Sequence, residues 1–308
     1  MVDNLQKDEE ILDRVNGPIV LALYAAAYVL IIWAYIMYVS PQFGYLGYSL
    51  SFNSVRVLEG FLFVCGFALL LPKLFHKPSD FLLHIQFSVV VLPVFVLHGI
   101  GGSHRELFYL TAFSFFLMMI VSTRLRLRPL RLIRIGPDFL CLLLFVVSGS
   151  IVLSLFMFAG FDKFNLSLTR VYEIRSVVAE GLPKLFGYLF PITSNALLPT
   201  ALALSLVFKR YIMAALCVSA SVAIFTITAH RGPLFYPFAV IGIYFIAQNQ
   251  FAIRKMLVCY VCVIGLSILS FQIGGGYAGS LLLRRSILTP ALNSNLYFEF
   301  FSKNQHTY

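Results

Sequence analysis

Arginines next to apolar segments are the residues of this chain with the most specific chemistry. A guanidinium presents a planar fork of N–H donors that matches the oxygens of a phosphate or a carboxylate. The arginines considered as ligands are Arg170, Arg175, Arg231, Arg284 and Arg285. If they lie on one side of a membrane, they predict an anionic substrate at the membrane surface. A lipid-linked diphosphate is the natural candidate.

Other ionisable residues have two possible roles each. Arg56 and Glu59 are three residues apart in an apolar run, so on a helix they share a face and could form a structural pair. An ionisable residue within a span costs about 2.5–3.5 kcal/mol on insertion scales, which makes a functional role the alternative. His230 and His306 could accept a proton from a sugar hydroxyl or serve structure alone. Arg105 abuts a span end, where snorkelling is expected.

Several kinds of site are disfavoured by the motifs. The chain has no H-E-x-x-H, no Walker loop and no D-x-D. We therefore expect no metal and no cofactor, and metal-dependent transfer from a nucleotide sugar is disfavoured.

Composition defines the class of protein that holds these residues. Of 308 residues, 60% are apolar, 16% aromatic and 12% charged, whereas about a quarter of a soluble protein is charged. The chain must therefore contact a lipid bilayer, and a soluble enzyme, a disordered chain and a coiled coil are excluded. The formal net charge of +10 is a topology signal and does not indicate a nucleic-acid partner.

Apolar runs of about 20 residues define the spans. We predict an all-α, polytopic helical membrane protein with about nine transmembrane helices. They lie near 18–39, 54–71, 81–99, 105–123, 138–160, 187–208, 211–229, 233–251 and 256–276. The sixth contains Pro191 and Pro199, which predict a kink or a broken entry.

Basic loops define the orientation. Five arginines between Arg124 and Arg134 predict that this loop is cytoplasmic, which places the N-terminus inside. The predicted order is a cytoplasmic tail (1–17), spans one to five (18–160), a periplasmic amphipathic loop (161–186), spans six to nine (187–276) and the start of a large periplasmic loop (277–308). We expect amphipathic helices in the outer loops and expect the last loop to continue beyond the sequence. The basic residues that then face outward are Arg56, Arg105, Lys163, Arg170, Arg175, Lys184, Arg231, Arg284, Arg285 and Lys303.

Three stretches within residues 160–308 resemble one protein family. The first runs from Val171-Tyr172-Glu173-Ile174-Arg175 to Leu197-Leu198-Pro199, with Arg170 eleven residues before Gly181. The second is Thr226–Gly232, and the third runs from Arg284-Arg285-Ser286 to Tyr297–Ser302. These stretches resemble the Wzy-type O-antigen polymerases, which join oligosaccharide repeat units at the inner membrane of bacteria.

The resemblance implies a metal-independent glycosyltransferase of the bacterial inner membrane. Such an enzyme moves a glycan from an undecaprenyl diphosphate carrier onto the next lipid-linked repeat unit. The product is an O-antigen or a capsule-type polysaccharide, and a chain-length regulator is a candidate partner. Arg170, Arg175, Arg231, Arg284 and Arg285 would hold the diphosphate. Glu173 and His306 are candidates for the base that deprotonates the acceptor hydroxyl. An O-antigen ligase and a transporter or flippase of a lipid-linked anionic glycan remain as alternatives.

The orientation is tested by reporter fusions. Fusions within 161–186 and 284–308 should give periplasmic signals, and fusions within 124–137 should give cytoplasmic signals, because the Lys and Arg distribution alternates with the spans. A cytoplasmic signal from a fusion near Glu180 would overturn the orientation and the outward position of the arginines.

Overall fold

Helices form every regular element in the described part of the chain. The structure, a computed structural model, describes residues 2–124, 136–159, 183, 185–228, 230–274 and 276–304. Seven helical segments are long and apolar enough to cross a membrane. They are Val15–Leu46, Pro78–Ile100, Arg105–Arg124, Asp138–Phe158, Phe186–Val207, Tyr211–Thr228 and Ala252–Gln272. The prediction of an all-α polytopic membrane protein is confirmed.

Two of the nine predicted spans are shorter helices. Ser54–Leu70 and Arg231–Ala247 have 17 residues each. At a rise of 1.5 Å per residue each is about 25 Å long, whereas the hydrocarbon core is about 30 Å thick. The first of them ends where Pro72 follows, because the residue before a proline avoids the helical conformation. Length and composition therefore support seven spans, and the two remaining helices lie where spans were predicted.

The α-helices divide into two units. In chain order they are α1 (Val2–Ala34), α2 (Ser40–Phe43), α3 (Ser54–Leu70), α4 (Pro78–Gln86), α5 (Leu92–Ile100), α6 (Arg105–Arg124), α7 (Pro137–Ala159), α8 (Phe186–Ile192), α9 (Leu198–Val207), α10 (Tyr211–Thr228), α11 (Arg231–Ala247), α12 (Ala252–Gln272), α13 (Tyr277–Gly279) and α14 (Thr289–Lys303). Unit 1 contains α1–α6 and α12–α14, and unit 2 contains α7–α11. The predicted amphipathic loop at 161–186 lies almost wholly outside the described residues.

Each unit has its own apolar core. In unit 1, α1 packs against α3, α5 and α12, and aromatic rings fill the interior. The ring of Phe67 lies 5.3 Å from that of Phe115 and 5.8 Å from that of Phe87, measured between centroids. In unit 2, α9 packs against α7, α10 and α11, and Ala201 and Cys217 are buried at these contacts.

In the described part of the chain, four helices contain a π-helical segment just before a proline. The segments are Tyr35–Val39, Phe87–Val91, Thr193–Leu197 and Ser280–Leu288, and Pro41, Pro93, Pro199 and Pro290 each stand two residues beyond a segment end. Proline donates no N–H, and its ring collides with the carbonyl four residues earlier. A wider turn relieves that collision. The kink was predicted from Pro191 and Pro199, and the π-helical segment Thr193–Leu197 lies between these two prolines.

Two glycines allow α1, α3 and α5 to approach closely. A Cβ on Gly60 would lie 2.5 Å from the Tyr28 hydroxyl and 3.0 Å from the backbone oxygen of Phe95. A Cβ on Gly99 would lie 2.6 Å from Val57 Cγ2 and 3.0 Å from its Cα. The Tyr28 hydroxyl also donates to the Val57 carbonyl at 2.9 Å. Small residues commonly serve this purpose between membrane helices.

One end of unit 1 is closed by loops that bond to helix ends. The backbone N–H groups of Ser51 and Asn53 donate to the carbonyls of Ile100 and Gly99, at 2.8 and 2.9 Å. These carbonyls lie in the last turn of α5, where a helix leaves its acceptors unsatisfied. The Tyr48 hydroxyl lies 2.7 Å from Thr289 Oγ1, which attaches α14 to the same end. We call this end, formed by residues 43–60, 98–109 and 276–304, the arginine end, because it carries Arg56, Arg105, Arg284 and Arg285.

His84 has the structural role expected of a satisfied core histidine. Its Nε2 lies 2.7 Å from the Pro72 carbonyl, and its Nδ1 lies 2.7 Å from the Tyr24 hydroxyl. A carbonyl only accepts, so Nε2 carries the proton and Nδ1 accepts from the tyrosine. Both ring nitrogens are therefore used within the fold.

The close contact of α3 with α5 predicts a sharp difference between two glycines. Gly99→Ala should lower the unfolding temperature of the protein in detergent, because overpacking typically costs about 1–3 kcal/mol. Gly66→Ala in α3 is the matched control, since a Cβ there meets no atom within 4 Å. Equal unfolding temperatures for the two variants would contradict the packing described.

Candidate functional site

The carboxylate of Glu59 is the centre of a polar cluster at the arginine end. His98 Nε2 lies 3.0 Å from its Oε2, Arg105 Nη2 donates to its Oε1 at 3.1 Å, and the Tyr109 hydroxyl donates to the same oxygen. The Glu59 side chain is 15% exposed and that of Arg105 is 57% exposed. The four residues, which we call the Glu59 cluster, come from α3, α5 and α6.

His98 is fully buried and holds a single tautomer. Its ring stacks on that of Phe108, with centroids 4.2 Å apart. The Glu59 carboxylate beside Arg105 is an acceptor, so Nε2 of the histidine carries the proton. Nδ1 is buried and has no hydrogen-bond partner among the described residues. A second proton there would be an unsatisfied N–H donor, which burial opposes, so the neutral imidazole fits this site.

Arg56 lies beside the Glu59 cluster but does not pair with its carboxylate. Its Nη1 donates to the Ser103 carbonyl at 3.1 Å, and its backbone N–H donates to the Asn53 side chain. Among the described ion pairs, Glu59 is joined to Arg105 and not to Arg56. Arg105, for which snorkelling was expected, is thus the ionic partner of a carboxylate in α3.

Arg284 is a buried guanidinium at the same end. Its side chain belongs to the π-helical segment Ser280–Leu288 and is only 9% exposed as a residue. Nε donates to Ser280 Oγ at 3.0 Å, and the guanidinium carbon lies 4.2 Å from the centroid of the Phe43 ring. None of the ion pairs in the described part of the chain includes Arg284. Its two terminal nitrogens are therefore free of a carboxylate there, and the neighbouring Arg285 is exposed.

Glu299 and Lys303 form an ordinary exposed pair on α14. Lys303 Nζ lies 2.5 Å from Glu299 Oε1, four residues away along the helix. This hydrogen bond and the charge of the lysine lower the pKa of the Glu299 carboxyl below its usual value. Both side chains are exposed, so the contact is a surface ion pair within one helix.

The predicted site residues fall into three groups. Arg56, Glu59, Arg284 and Arg285 all lie at the arginine end of unit 1. In unit 2, His230 precedes α11, with its ring 5.0 Å from that of Phe190, and Arg231 is the first residue of that helix. Four predicted residues lie outside the described ranges, namely Arg170, Glu173, Arg175 and His306.

His98 and Tyr109 are the members of the cluster that sequence reasoning missed. They lie 39 and 50 residues from Glu59 along the chain, so no local spacing connects them to it. The available signal was Glu59 itself, because a carboxylate within an apolar helix needs partners from neighbouring helices.

The chemistry of the site follows from its own residues. Comparison of the chain with protein-family models, curated proteins and solved structures finds no match. Within the described ranges, no three His, Cys, Asp or Glu side chains come together as metal ligands. What the arrangement can do follows from its guanidinium groups, which can bind an anion.

The Glu59 cluster predicts an order of stability among three alanine variants. Glu59→Ala should lower the free energy of unfolding by about 1–3 kcal/mol, because it leaves the buried Nε2–H of His98 without an acceptor. Arg105→Ala should have a smaller effect, since that side chain is largely exposed. Glu106→Ala, at an exposed position beside it, is the control. The measurement is unfolding in detergent, and equal effects of Glu59→Ala and Glu106→Ala would count against the cluster.

Proposed function

We propose that this protein is a glycan polymerase of the bacterial inner membrane that joins undecaprenyl-diphosphate-linked oligosaccharide repeat units at the periplasmic face. Its product would be an O-antigen or capsule-type polysaccharide. The proposal combines the resemblance of residues 160–308 with the anion-binding character of the arginine end.

The observation that carries the proposal is the burial of Arg284 without a carboxylate partner in the described part of the chain. Burying a cation is costly unless it is paired. Here a serine hydroxyl and the face of Phe43 compensate only part of that cost. A diphosphate oxygen bound by the terminal nitrogens would complete the pairing.

The other charges of the arginine end support the same substrate class. Arg56 and Arg285 also lie outside the ion pairs of the described residues. If the predicted orientation holds, this end faces the periplasm, where lipid-linked repeat units are joined. A transporter would instead be expected to line a cavity deep in the membrane with its arginines.

The proposed reaction is a displacement at the anomeric carbon of the donor glycan. The acceptor hydroxyl oxygen forms the new glycosidic bond, while the bond between the anomeric carbon and the diphosphate oxygen breaks. The lipid diphosphate leaves with the electron pair, and arginines stabilise the charge that develops on it. In this proposal Arg284 and Arg285 contribute to this stabilisation, and Arg170, Arg175 and Arg231 are the other arginines to which the resemblance assigns it. The hydroxyl proton passes to a base, for which Glu173 and His306 are the candidates.

The proposal is tested by the glycan ladder of a strain that lacks the gene and carries variants of its complete reading frame. Arg284→Ala should shorten or abolish the polymer, because losing one hydrogen bond to a charged group slows a reaction about ten- to hundredfold. Arg284→Lys should recover part of the activity if a point charge suffices, and none if the planar fork is required.

The control for this experiment is Lys303→Ala, which removes an exposed charge of the same unit. A blot of the membrane fraction shows whether each variant is present at the wild-type level. A normal ladder from Arg284→Ala, at an equal protein level, would contradict the role of this arginine. A strain that makes no polymer with the wild-type gene would contradict the function itself.

A further inference from the structure

An apolar groove runs along the surface of unit 1 between α3 and α6. Its volume is about 590 Å³. The floor is formed by Phe63, Phe67 and Ala112, and the walls by side chains that are largely exposed. The wall residues are Leu62, Gly66 and Leu70 of α3 and Tyr109, Phe113 and Phe116 of α6.

Each wall of the groove is a single stripe of residues from one helix. The wall residues of α3 are spaced four apart, and those of α6 are spaced four and three apart, so each helix contributes a single stripe. Both helices begin at the arginine end, so the stripes run side by side for about two helical turns. Gly66 lies midway along its stripe and leaves the groove open, since a Cβ there would meet no atom within 4 Å.

The groove ends at the Glu59 cluster. Tyr109 lines the groove, and its hydroxyl donates to Glu59. Arg105 lies one turn before Tyr109 in α6, and its guanidinium carbon is 5.7 Å from the centroid of the Tyr109 ring. Both hydrogen bonds from Arg105 to the Glu59 carboxylate come from Nη2. Arg56, three residues before Glu59, adds a second guanidinium group at this mouth.

We infer that this groove binds the hydrocarbon chain of a polyprenyl diphosphate, with the phosphates held at Arg105 and Arg56. One apolar chain lies in the groove between α3 and α6, and the anionic headgroup meets the guanidinium groups at its end. The inference rests on the proposed function, because that function supplies the lipid diphosphate as substrate. It adds the place where one such lipid enters the protein.

A polyprenyl lipid suits the groove better than a phospholipid of the bilayer. A polyprenyl lipid brings one apolar chain to a groove, whereas a phospholipid brings two acyl chains that leave its glycerol side by side. The diphosphate also carries more negative charge than the single phosphodiester of a phospholipid, which suits a mouth with two guanidinium groups.

The experiment uses the full chain in nanodiscs and a polyprenyl diphosphate that bears a diazirine on its chain. Photo-crosslinks should map to residues 62–70 and 109–116. Gly66→Leu fills the groove without touching the packing of α3, and should lower the crosslinking yield about tenfold, because the chain loses the burial of several CH2 groups. Gly265→Leu is the matched control, since it makes the same substitution at an equally open glycine of α12.

Competing lipids separate the possible occupants. Unlabelled polyprenyl diphosphate should remove the crosslinks, and phosphatidylglycerol at the same concentration should not. Equal competition by phosphatidylglycerol, crosslinks outside the groove, or a wild-type yield from Gly66→Leu would each overturn the inference. A wild-type crosslinking yield from Gly66→Leu together with a normal glycan ladder would contradict lipid binding in the groove and leave the polymerase proposal intact. The expected crosslinks together with a wild-type gene that makes no polymer would support lipid binding in the groove and contradict the polymerase proposal.

Discussion

Unpaired backbone groups are the constraint that shapes unit 1. The hydrocarbon of a membrane offers no water to a free N–H or C=O, so each interruption of a helix needs a partner from the protein. Ser51 and Asn53 supply N–H groups to the end of α5. The Tyr260 hydroxyl donates to the carbonyl of Ser88 at 2.7 Å, five residues before Pro93, which has no N–H to give. The same requirement brings distant helices together at fixed positions.

These backbone contacts also determine where the charged residues stand. The docking of residues 51–53 on α5 fixes the start of α3, and Arg56 and Glu59 lie in its first two turns. Close approach at Gly99 then brings α5 against that turn, which places His98 beside Glu59. The Glu59 cluster therefore forms because the backbone groups at two helix ends find hydrogen-bond partners in each other's segments. Its buried imidazole and largely buried carboxylate in turn hold the guanidinium of Arg105 at the end of an apolar groove.

The sequence predicts well those features that depend on one segment at a time. Bilayer thickness dictates span length, so seven apolar runs were found at the helices that the structure shows. Glu59 was singled out because a carboxylate is rare in an apolar run. Its partners were not, since contacts between helices depend on packing that spacing does not reveal. Arg284 was predicted to lie at the start of the large outer loop, and its burial in a helix against Phe43 was not predicted.

The π-helical segments have a consequence for how this chain can vary. A π-helical turn holds about one residue more than an α-helical turn of the same rise, so each segment behaves as a tolerated insertion. Deleting one residue from Phe87–Val91 would return that stretch to α-helical register and leave Pro93 and the helix beyond it in place. Relatives of this protein should therefore differ by single-residue gaps just ahead of these prolines, while their spans keep the same order and the same faces.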